Sequence, residues 1–367
     1  MNNLYPKGHK MVTSNLNIIN KRGLSEVVTS LIMILLVLVA VAIVWIVIKN
    51  MLTESADEIS ITGFMVDMDI RDVKDNGNNI DVKIKREVGE GNLKGVRFIV
   101  DDGSTPEIID NNNSLNELEE KSYNLNYSGL LKKVSIAPIF ETEAGEEKIG
   151  GILDEKEFTN KEIIETIGGV AWYKFDGNAN DELGNHNAII NGSPDCTVQG
   201  KYKQACEFNG VSSDKILTNK ARSRFFDASQ GTMMAWVRPK GGVVSNTQIY
   251  NLPSIICDEG NYLGIYIGNL SSKDGIWIYN KPGQSNKINI SYINNNWVHT
   301  TWVHNFSHIL AYKDGLLSNS IASGNTLTNS SLIIGNNNFS GTIDELMIFN
   351  RALSNEEIKG ISNLDLS

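Results

Sequence analysis

The feature that most constrains this chain is an uninterrupted apolar run close to its N-terminus. No charged residue occurs from Val27 to Ile48, and every residue from Leu31 to Ile48 is apolar. As an α-helix, with about 1.5 Å of rise per residue, this run extends roughly 27 Å, which is about the thickness of the hydrocarbon core of a bilayer. Because a chain in lipid must satisfy its own backbone hydrogen bonds, the run is predicted to be a transmembrane helix.

Charges on either side of the run predict its orientation. Basic residues precede it and acidic residues follow it closely: Lys7, Lys10, Lys21 and Arg22 before, Glu54, Asp57 and Glu58 after. The positive-inside rule then places the N-terminus in the cytoplasm and the chain beyond about residue 50 outside the cell. The predicted localisation is therefore the cell membrane, with a single span and an extracellular ectodomain.

The charge and the cysteine content of this ectodomain exclude one class of partner and one class of fold. The 367-residue chain has a net charge of −10 although its N-terminal segment is basic, so the acidic excess lies in the ectodomain. We expect no nucleic-acid partner, because phosphate contacts need a basic patch. Three cysteines are too few for a fold built on a disulfide framework.

The junction before the apolar run resembles the class III signal peptide of archaeal type IV pilins and archaellins. It reads Lys21-Arg22-Gly23-Leu24-Ser25-Glu26, a short basic leader followed at once by the long helix. The resemblance implies that a prepilin peptidase cuts between Gly23 and Leu24. Residues 1–23 would then be a cleaved leader, and residues 24–53 a retained helix that packs against sister subunits in a surface filament. An uncleaved signal anchor is the alternative.

Glu26 would be the third residue of the mature chain, whereas bacterial pilins carry a glutamate at the fifth position. The helix carboxylate therefore either has the role that it has in pilins or is simply an acid at a helix start, which the helix dipole favours.

Residues 54–168 are predicted to form a small β-sandwich. Ile80–Lys85 alternates between apolar and charged residues, as a half-buried strand does. Val134–Phe140 is a second strand, whose Pro138 is typical of a sheet edge or a bulge. Polar turn segments such as Asp75–Asn79 separate the strands. This region is similar to the β-domain that follows the helix in archaeal pilins, which implies a spacer or a filament-packing role.

Residues 169–367 resemble the LamG-like jellyroll family (laminin G, concanavalin A-like) in several short sequences that occur in the family's order. These are Val170–Gly177, Gly200–Val211, Met234–Pro239, Asn296–Val303, Ala311–Gly315 and Phe339–Ser354. The resemblance implies two curved sheets packed face to face, with a short C-terminal helix. The predicted fold class is thus mostly β, with one N-terminal transmembrane or pilin helix, a small β-sandwich and a LamG-like two-sheet jellyroll.

Local residue patterns favour the same elements without the family. Asp314 and Gly315 lie between two alternating runs and predict a hairpin turn. Ser354 and Glu357 have the spacing of a capping box, which predicts a helix that ends near Ile361.

The family often binds one calcium ion, and four residues match the positions of its ligands: Asp176, Asp181, Asn185 and Asp344. The resemblance therefore implies a Ca²⁺ site, since calcium takes several carboxylate and carbonyl oxygens. The alternative is that Asp176 and Asp344 cap turns or accept hydrogen bonds from loop amides.

A set of aromatic residues is the candidate ligand-binding face. Its members lie in alternating strands beside Ile and Leu, so that one face of the strands is aromatic: Tyr262, Tyr266, Trp277 and Tyr279. Because sugar sites combine aromatic rings with a few polar groups, this face is predicted to bind an extracellular glycan or protein, with core packing as the alternative. Four tryptophans match core positions of the family and are predicted to pack inside: Trp172, Trp236, Trp297 and Trp302.

Cys196 and Cys206 flank a predicted hairpin around Gly200. Cross-strand neighbours approach closely enough for a disulfide, and an extracellular compartment is oxidising, so a bridge is predicted. Two buried free thiols are the alternative.

The chain is predicted not to be an enzyme. It has neither an HExxH nor a GxSxG motif, and its five histidines lack zinc-ligand spacing. Glu345 follows Asp344 directly, so strand alternation would turn the two carboxylates to opposite faces instead of pairing them as in glycosidases.

The predicted function is a cell-surface pilin-like subunit or adhesin whose LamG-type domain recognises a glycan or protein. Two alternatives stay open. One is a purely structural filament subunit, and the other is an uncleaved, membrane-anchored lectin that does not polymerise.

Overall fold

The structure is a computed structural model, and it confirms a mostly β chain. It describes residues 21–58, 66–89, 91–141, 145–227, 229–241, 245–246, 248–261, 263–280, 287–322 and 329–367. Contacts divide the chain into two compact units, Met1–Ile61 and Thr62–Ser367.

The first unit contains one long helix, α1 (Lys21–Glu58). Its segment Val28–Ile46 is long and apolar enough to cross a membrane or to serve as a signal sequence, and none of it is buried inside the protein. The predicted apolar helix is therefore confirmed. Gly23, Leu24 and Glu26 lie in its first turns, but their side chains are outside the described ones.

The second unit begins with a two-sheet sandwich. One sheet has the order β1-β2-β5; the other has the order β4-β3-β6-β7, with β8 also pairing with β6. Alternation places Ile80, Val82 and Ile84 in the core between them. The strands are β1 (Met68–Asp75), β2 (Asn79–Arg86), β3 (Leu93–Asp101), β4 (Glu107–Asn111), β5 (Glu120–Asn126), β6 (Lys133–Glu141), β7 (Glu147–Ile149) and β8 (Asp154–Glu157).

After the helix α2 (Asn160–Thr166), the chain enters the jellyroll. Its strands are β9 (Gly169–Tyr173), β10 (Ile189–Asn191), β11 (Asp195–Gln199), β12 (Gln204–Asn209), β13 (Lys215–Ala221), β14 (Gln230–Pro239), β15 (Ser245–Asn246), β16 (Ser254–Asp258), β17 (Leu263–Leu270), β18 (Lys273–Asn280), β19 (Lys287–Ile290), β20 (Val298–Asn305), β21 (His308–Lys313), β22 (Leu316–Ala322), β23 (Ser331–Asn336) and β24 (Ser340–Phe349). The helix α3 (Asn355–Ser362) follows.

These strands form two antiparallel sheets, which we name after a central strand of each. The β24 sheet has the order β11-β12-β24-β14-β20-β21-β22, and β9 also pairs with β24. The β17 sheet has the order β10-β13-β23-β16-β17-β18-β19, and β15 also pairs with β17, in parallel. The inner faces of both sheets enclose one apolar core, with Phe208, Trp302 and Leu346 from the β24 sheet and Ile256 and Ile278 from the β17 sheet. This is the face-to-face packing that the sequence predicts.

The outer face of the β24 sheet is partly covered. Its residues Met234, Val303 and Met347 pack in one cluster with α2, α3, the C-terminal tail and Leu130 of the sandwich. Both helices begin with a capping box, Thr159 with Glu162 and Ser354 with Glu357. In each box the hydroxyl oxygen accepts a hydrogen bond from a backbone N–H group that has no partner within the helix, and the glutamate accepts one in return. The covered half ends near Met234, and the site described next lies beyond it.

An ionic contact also joins the sandwich to the jellyroll. The Arg351 guanidinium donates to both carboxylate oxygens of Glu357, at 3.0 and 2.5 Å, and lies 3.9 Å from Asp75 Oδ1. Burial raises the pKa of Asp75 to about 6.

Candidate functional site

The site lies where the β24 sheet forks. The first half of β24 pairs with β12, and its second half pairs with β9. Asp344 and Glu345 occupy the gap between the two partners. The register against β14 shifts here by one residue, since Met234 faces Met347 while Trp236 faces Asp344, and Glu345 has a φ of +48°. The register shift is therefore a β-bulge at Asp344 and Glu345. A bulge of this kind changes the direction in which the side chains of a strand point.

The turn between β11 and β12 closes over Asp344. Its Oδ2 accepts hydrogen bonds from the backbone N–H groups of Lys201, at 2.7 Å, and Tyr202, at 3.0 Å. Gly200 permits this approach, because a Cβ there would lie 2.6 Å from the same carboxylate oxygen. Asp176 braces the turn as well, since its Oδ1 accepts from the N–H of Gln204 at 2.9 Å.

Asp344 is only half satisfied by these contacts. Its side chain is fully buried, and among the described residues its Oδ1 has no hydrogen-bond partner. Burial raises the pKa of Asp344 to about 7 although the backbone amides lower it, and the charge of Asp176 raises it further. An unpartnered oxygen on a buried acid favours a bound proton or a bound cation over a bare charge.

Glu345 points toward β9. Its Oε2 accepts a hydrogen bond from Trp172 Nε1, and the Lys174 ammonium lies 4.7 Å from the centre of the Trp172 ring. Burial and the charge of Asp344 raise the pKa of Glu345 to about 8. Alternation alone predicts that Glu345 and Asp344 face opposite sides; the bulge instead turns Glu345 toward Trp172, which packs with Met347 on the outer side of the sheet.

The four predicted calcium ligands do not form one donor set. Both carboxylate oxygens of Asp181 already accept hydrogen bonds from backbone N–H groups. Its Oδ1 accepts from Trp172 and Leu183, and its Oδ2 accepts from Asn185 and His186. Asp176 and Asp344, in contrast, are close enough for the charge of one to affect the pKa of the other. In the described part of the chain, no group of three or more His, Cys, Asp or Glu side chains is arranged to hold a metal ion. Calcium binding stays a prediction, and Asp181 does not fit it.

The predicted aromatic face is covered. Tyr266, Trp277 and Tyr279 are 0%, 5% and 2% exposed and pack with Ile249 and Leu252, which precede β16, so these rings present no face to a ligand. The physical reason is that alternation predicts which residues share a face but not whether another segment lies on it. Tyr262 is outside the described residues.

The predicted disulfide between Cys196 and Cys206 is confirmed, and it links β11 to β12. It therefore crosslinks the hairpin whose turn covers Asp344. Cys257 is a buried free thiol.

Sequence reasoning missed a row of cations that lie on tryptophan rings along the uncovered half of the outer face. Lys174 lies 4.7 Å from the centre of the Trp172 ring, Lys201 lies 4.2 Å from that of Trp236, and Arg238 lies 4.9 Å from that of Trp297. We call these six residues the cation–aromatic strip. The signal was in the sequence, because Trp236 and Arg238 are two residues apart on one strand and so share a face.

The strip is only partly buried. Trp172 and Trp236 are buried, at 1% and 9% exposed, as predicted for core residues, whereas Trp297, also predicted to be core, is partly exposed. His299 packs against Trp236 with its ring centre 5.2 Å away, and burial lowers the pKa of His299 to about 3, so it is a neutral support for that ring. Lys201 is exposed, and Lys174 and Arg238 are partly so.

Comparison with solved structures gives distant matches. Domain 4 of AbnA, an extracellular arabinanase from Geobacillus stearothermophilus in complex with arabinotriose, is 18% identical with a TM-score of 0.41, over 53% of this chain and 98% of that one. The binding domain of botulinum neurotoxin DC, in complex with SialylT, is 19% identical with a TM-score of 0.40, over 53% and 51%. A sialidase from Trypanosoma rangeli is 12% identical with a TM-score of 0.41, over 79% and 61%. The chain thus spans about half of the neurotoxin domain and three fifths of the sialidase.

Comparison with curated proteins gives no match. Comparison with protein families gives one, and it covers β14 and β24 of the fork but begins at the last residue of β12, after β9 and β11. Residues 209–359 match the concanavalin A-like lectin/glucanases superfamily, and the jellyroll-like lectin fold of these residues agrees with that assignment.

Proposed function

We propose that this chain is a cell-surface protein that α1 anchors in the membrane and whose jellyroll binds glycans. The single observation that carries the proposal is the cation–aromatic strip on the outer face of a lectin-superfamily domain. Sugar sites need aromatic rings with a few convergent polar groups, and the strip supplies both at one place.

The partly exposed Trp297 ring is the centre of the proposed contact. Arg238 lies on this ring and also donates to the Gln199 carbonyl, at 3.3 Å, and to Thr342 Oγ1, at 3.4 Å, so its guanidinium is held in place. A sugar ring that stacks on Trp297 finds hydrogen-bond donors beside it without a large rearrangement. Preorganised donors of this kind limit the entropic cost of binding.

A glycan array on the full-length protein in detergent tests this proposal. Trp297→Ala should reduce glycan binding at least about tenfold, since stacking and desolvation at a central aromatic residue are typically worth 1–3 kcal/mol or more. Tyr250→Ala is the matched control, because Tyr250 is an exposed aromatic residue outside the strip. Wild-type protein that binds no glycan, or a Trp297→Ala variant that binds like wild type, would overturn the assignment.

For the N-terminus we propose the finer role of a pilin-like subunit. The support is the junction Lys21-Arg22-Gly23-Leu24 in front of an apolar helix. Prepilin peptidase would cut between Gly23 and Leu24, and the retained helix would pack against sister subunits. Mass spectrometry of the protein from its native membrane should give a mature chain that begins at Leu24; an uncut chain would make it an anchored lectin that does not polymerise.

Calcium is a further proposal, restricted to Asp344 and Asp176. The buried Oδ1 of Asp344 has no hydrogen-bond partner among the described residues, so it can take a cation. Millimolar calcium should raise the melting temperature of wild-type protein but not that of Asp344→Asn. Equal shifts in both proteins, or none in either, would remove calcium from the proposal.

A further inference from the structure

The three cations of the strip lie on aromatic rings. In the described part of the chain, none of Lys174, Lys201 and Arg238 forms a salt bridge with a carboxylate, although the charges of Lys174 and Glu345 do interact. Other cations nearby do find partners: Lys240 lies 2.6 Å from Glu207 Oε2. In a chain with a net charge of −10, three unpaired cations on one half-face are a local reversal of charge.

Strand register brings the three cations together. Arg238 faces Thr342 across the β14–β24 pair, and Trp236, which supports Lys201, faces Asp344. On the other edge of β24, Tyr173 faces Leu346, so Lys174 lies one residue further along, beside Glu345. Arg238 and Lys174 are thus two strand spacings apart across the sheet and three residues apart along β24, which gives a backbone separation of roughly 14 Å. Cations at this separation can contact one short oligosaccharide.

The carboxylates beneath the strip do not neutralise it. Asp344 Oδ2 is bound by two backbone N–H groups, and Glu345 is bound by Trp172 Nε1. The strip therefore presents positive charge to solvent and recruits anions.

Arg238 has the geometry to bind a carboxylate directly. Its two hydrogen bonds to the protein are both long and both made by Nη2. A guanidinium has five N–H donors, and in the described part of the chain the Nε and Nη1 groups of Arg238 make no hydrogen bond, so they can donate to an anion. A lysine ammonium on a neighbouring ring adds a second point of charge.

We propose that the cation–aromatic strip selects acidic sugars, in which a carboxylate contacts Arg238 and Lys201 while the sugar ring packs on Trp297. This inference rests on the proposed function and specifies the chemical class of its ligand. It follows from the unpaired charges and not from the fold, which serves neutral and charged sugars alike.

The experiment compares two forms of one glycan on the full-length protein in detergent. The probes are an oligogalacturonate and its methyl ester, which share the sugar backbone and differ in charge. Wild-type protein should bind the acid at least about tenfold more tightly than the ester, because charge-assisted hydrogen bonds contribute about 1.5–3 kcal/mol each. The double variant Lys201→Gln/Arg238→Gln should lose most of this preference, and added salt should reduce it in wild type.

Lys215→Gln/Lys220→Gln is the matched control, since it removes two positive charges from β13 in the other sheet. It should keep the preference, and unchanged melting temperatures verify that every variant is folded. Equal binding of acid and ester by wild type would overturn the acidic class while leaving glycan binding intact. Binding of neither probe, with no glycan bound on the array, would remove the proposed function itself.

Phosphatidylserine vesicles form the third arm of the experiment. Binding to these vesicles that Lys201→Gln/Arg238→Gln abolishes, without a preference for the acidic sugar, would make the strip a membrane-contact surface and would overturn the proposal. Binding to the oligogalacturonate alone supports it.

Discussion

Asp344 is the residue at which the demands of folding and binding conflict. It holds the turn over the fork with one oxygen and leaves the other buried and without a partner in the described part of the chain. A carboxyl whose pKa rises on folding binds its proton more tightly in the folded state. Its contribution to stability is therefore complete below the unfolded pKa, near 4, and is lost as the pH rises through about 7.

Asp344→Asn should therefore flatten the pH dependence of stability. Asparagine keeps a carbonyl oxygen for the N–H groups of Lys201 and Tyr202 but cannot ionise. Wild-type protein should lose stability between about pH 5 and pH 8, and the variant should lose less, by on the order of 1–3 kcal/mol. Melting temperatures across this range measure the difference. Identical slopes would show that Asp344 is not protonated in the folded protein.

Single residues were also where sequence reasoning was weakest. The family positions that select Asp176 and Asp344 as calcium ligands also select Asp181, whose carboxylate instead accepts hydrogen bonds from four backbone N–H groups. Tyr266 and Trp277 were placed on the correct strands but on a covered face. What a side chain meets depends on segments distant in sequence, and neither periodicity nor spacing contains that information.

At the scale of elements, local sequence was a better guide. The Asp314-Gly315 turn has positive φ at both residues, and the Ser354–Glu357 capping box starts α3 as expected. Both features are set by residues within one turn of each other, so tertiary contacts have little to override. The bulge at Glu345 was missed, because it arises from the divergence of β9 and β12, which are far apart in sequence.

The hairpin β11–β12 ties the disulfide to the site. Replacing Cys196 and Cys206 by serine should lower the free energy of unfolding by about 2–3 kcal/mol, the cost expected for a loop of this size. Because Lys201 and Tyr202 lie in the same turn, glycan affinity should also fall. Thermal unfolding with and without a reductant measures the first effect; a reductant that destabilises the serine variant as much as wild type would contradict it.

The contact between Arg351 and Glu357 is expected to matter more than its exposed counterparts. The Glu357 side chain is fully buried, and Arg351→Met would leave it without its bidentate partner. We expect a loss of about 3–5 kcal/mol, the usual cost of a buried charge that has lost its partner. Chemical denaturation measures it. Asp75→Asn is the control, since it removes the charge at the longer contact, 3.9 Å from Arg351, and keeps an oxygen for the Gly77 N–H; an equal loss in both would contradict the argument.

At the scale of the whole molecule, the chain consists of two units, an apolar helix and an acidic β-rich region. The order of these parts was predictable from composition and periodicity alone, because a charge-free run and alternating strands differ plainly in sequence. The packing of the sandwich against the jellyroll was less predictable from the sequence. Leu130 of the sandwich packs in an apolar cluster with jellyroll residues, and both domains fall within one compact unit.

Removal of the helix should leave a working ectodomain. A chain that begins at Thr62 keeps the whole second unit, so we expect it to stay in the supernatant after ultracentrifugation and to bind the same glycans as the full-length protein. The full-length chain should sediment with membranes and resist extraction by alkaline carbonate. A full-length chain that is recovered in the soluble fraction would contradict the role assigned to α1.

The place of β24 in its sheet has a consequence for how the protein is made. This strand is the last jellyroll strand in chain order among the described residues, yet it lies between β12 and β14 and also pairs with β9. Until it has been synthesised, three earlier strands lack their neighbour and the fork does not exist. Because such distant pairings delay folding, the jellyroll cannot reach its native form while the chain as far as β23 emerges from the ribosome.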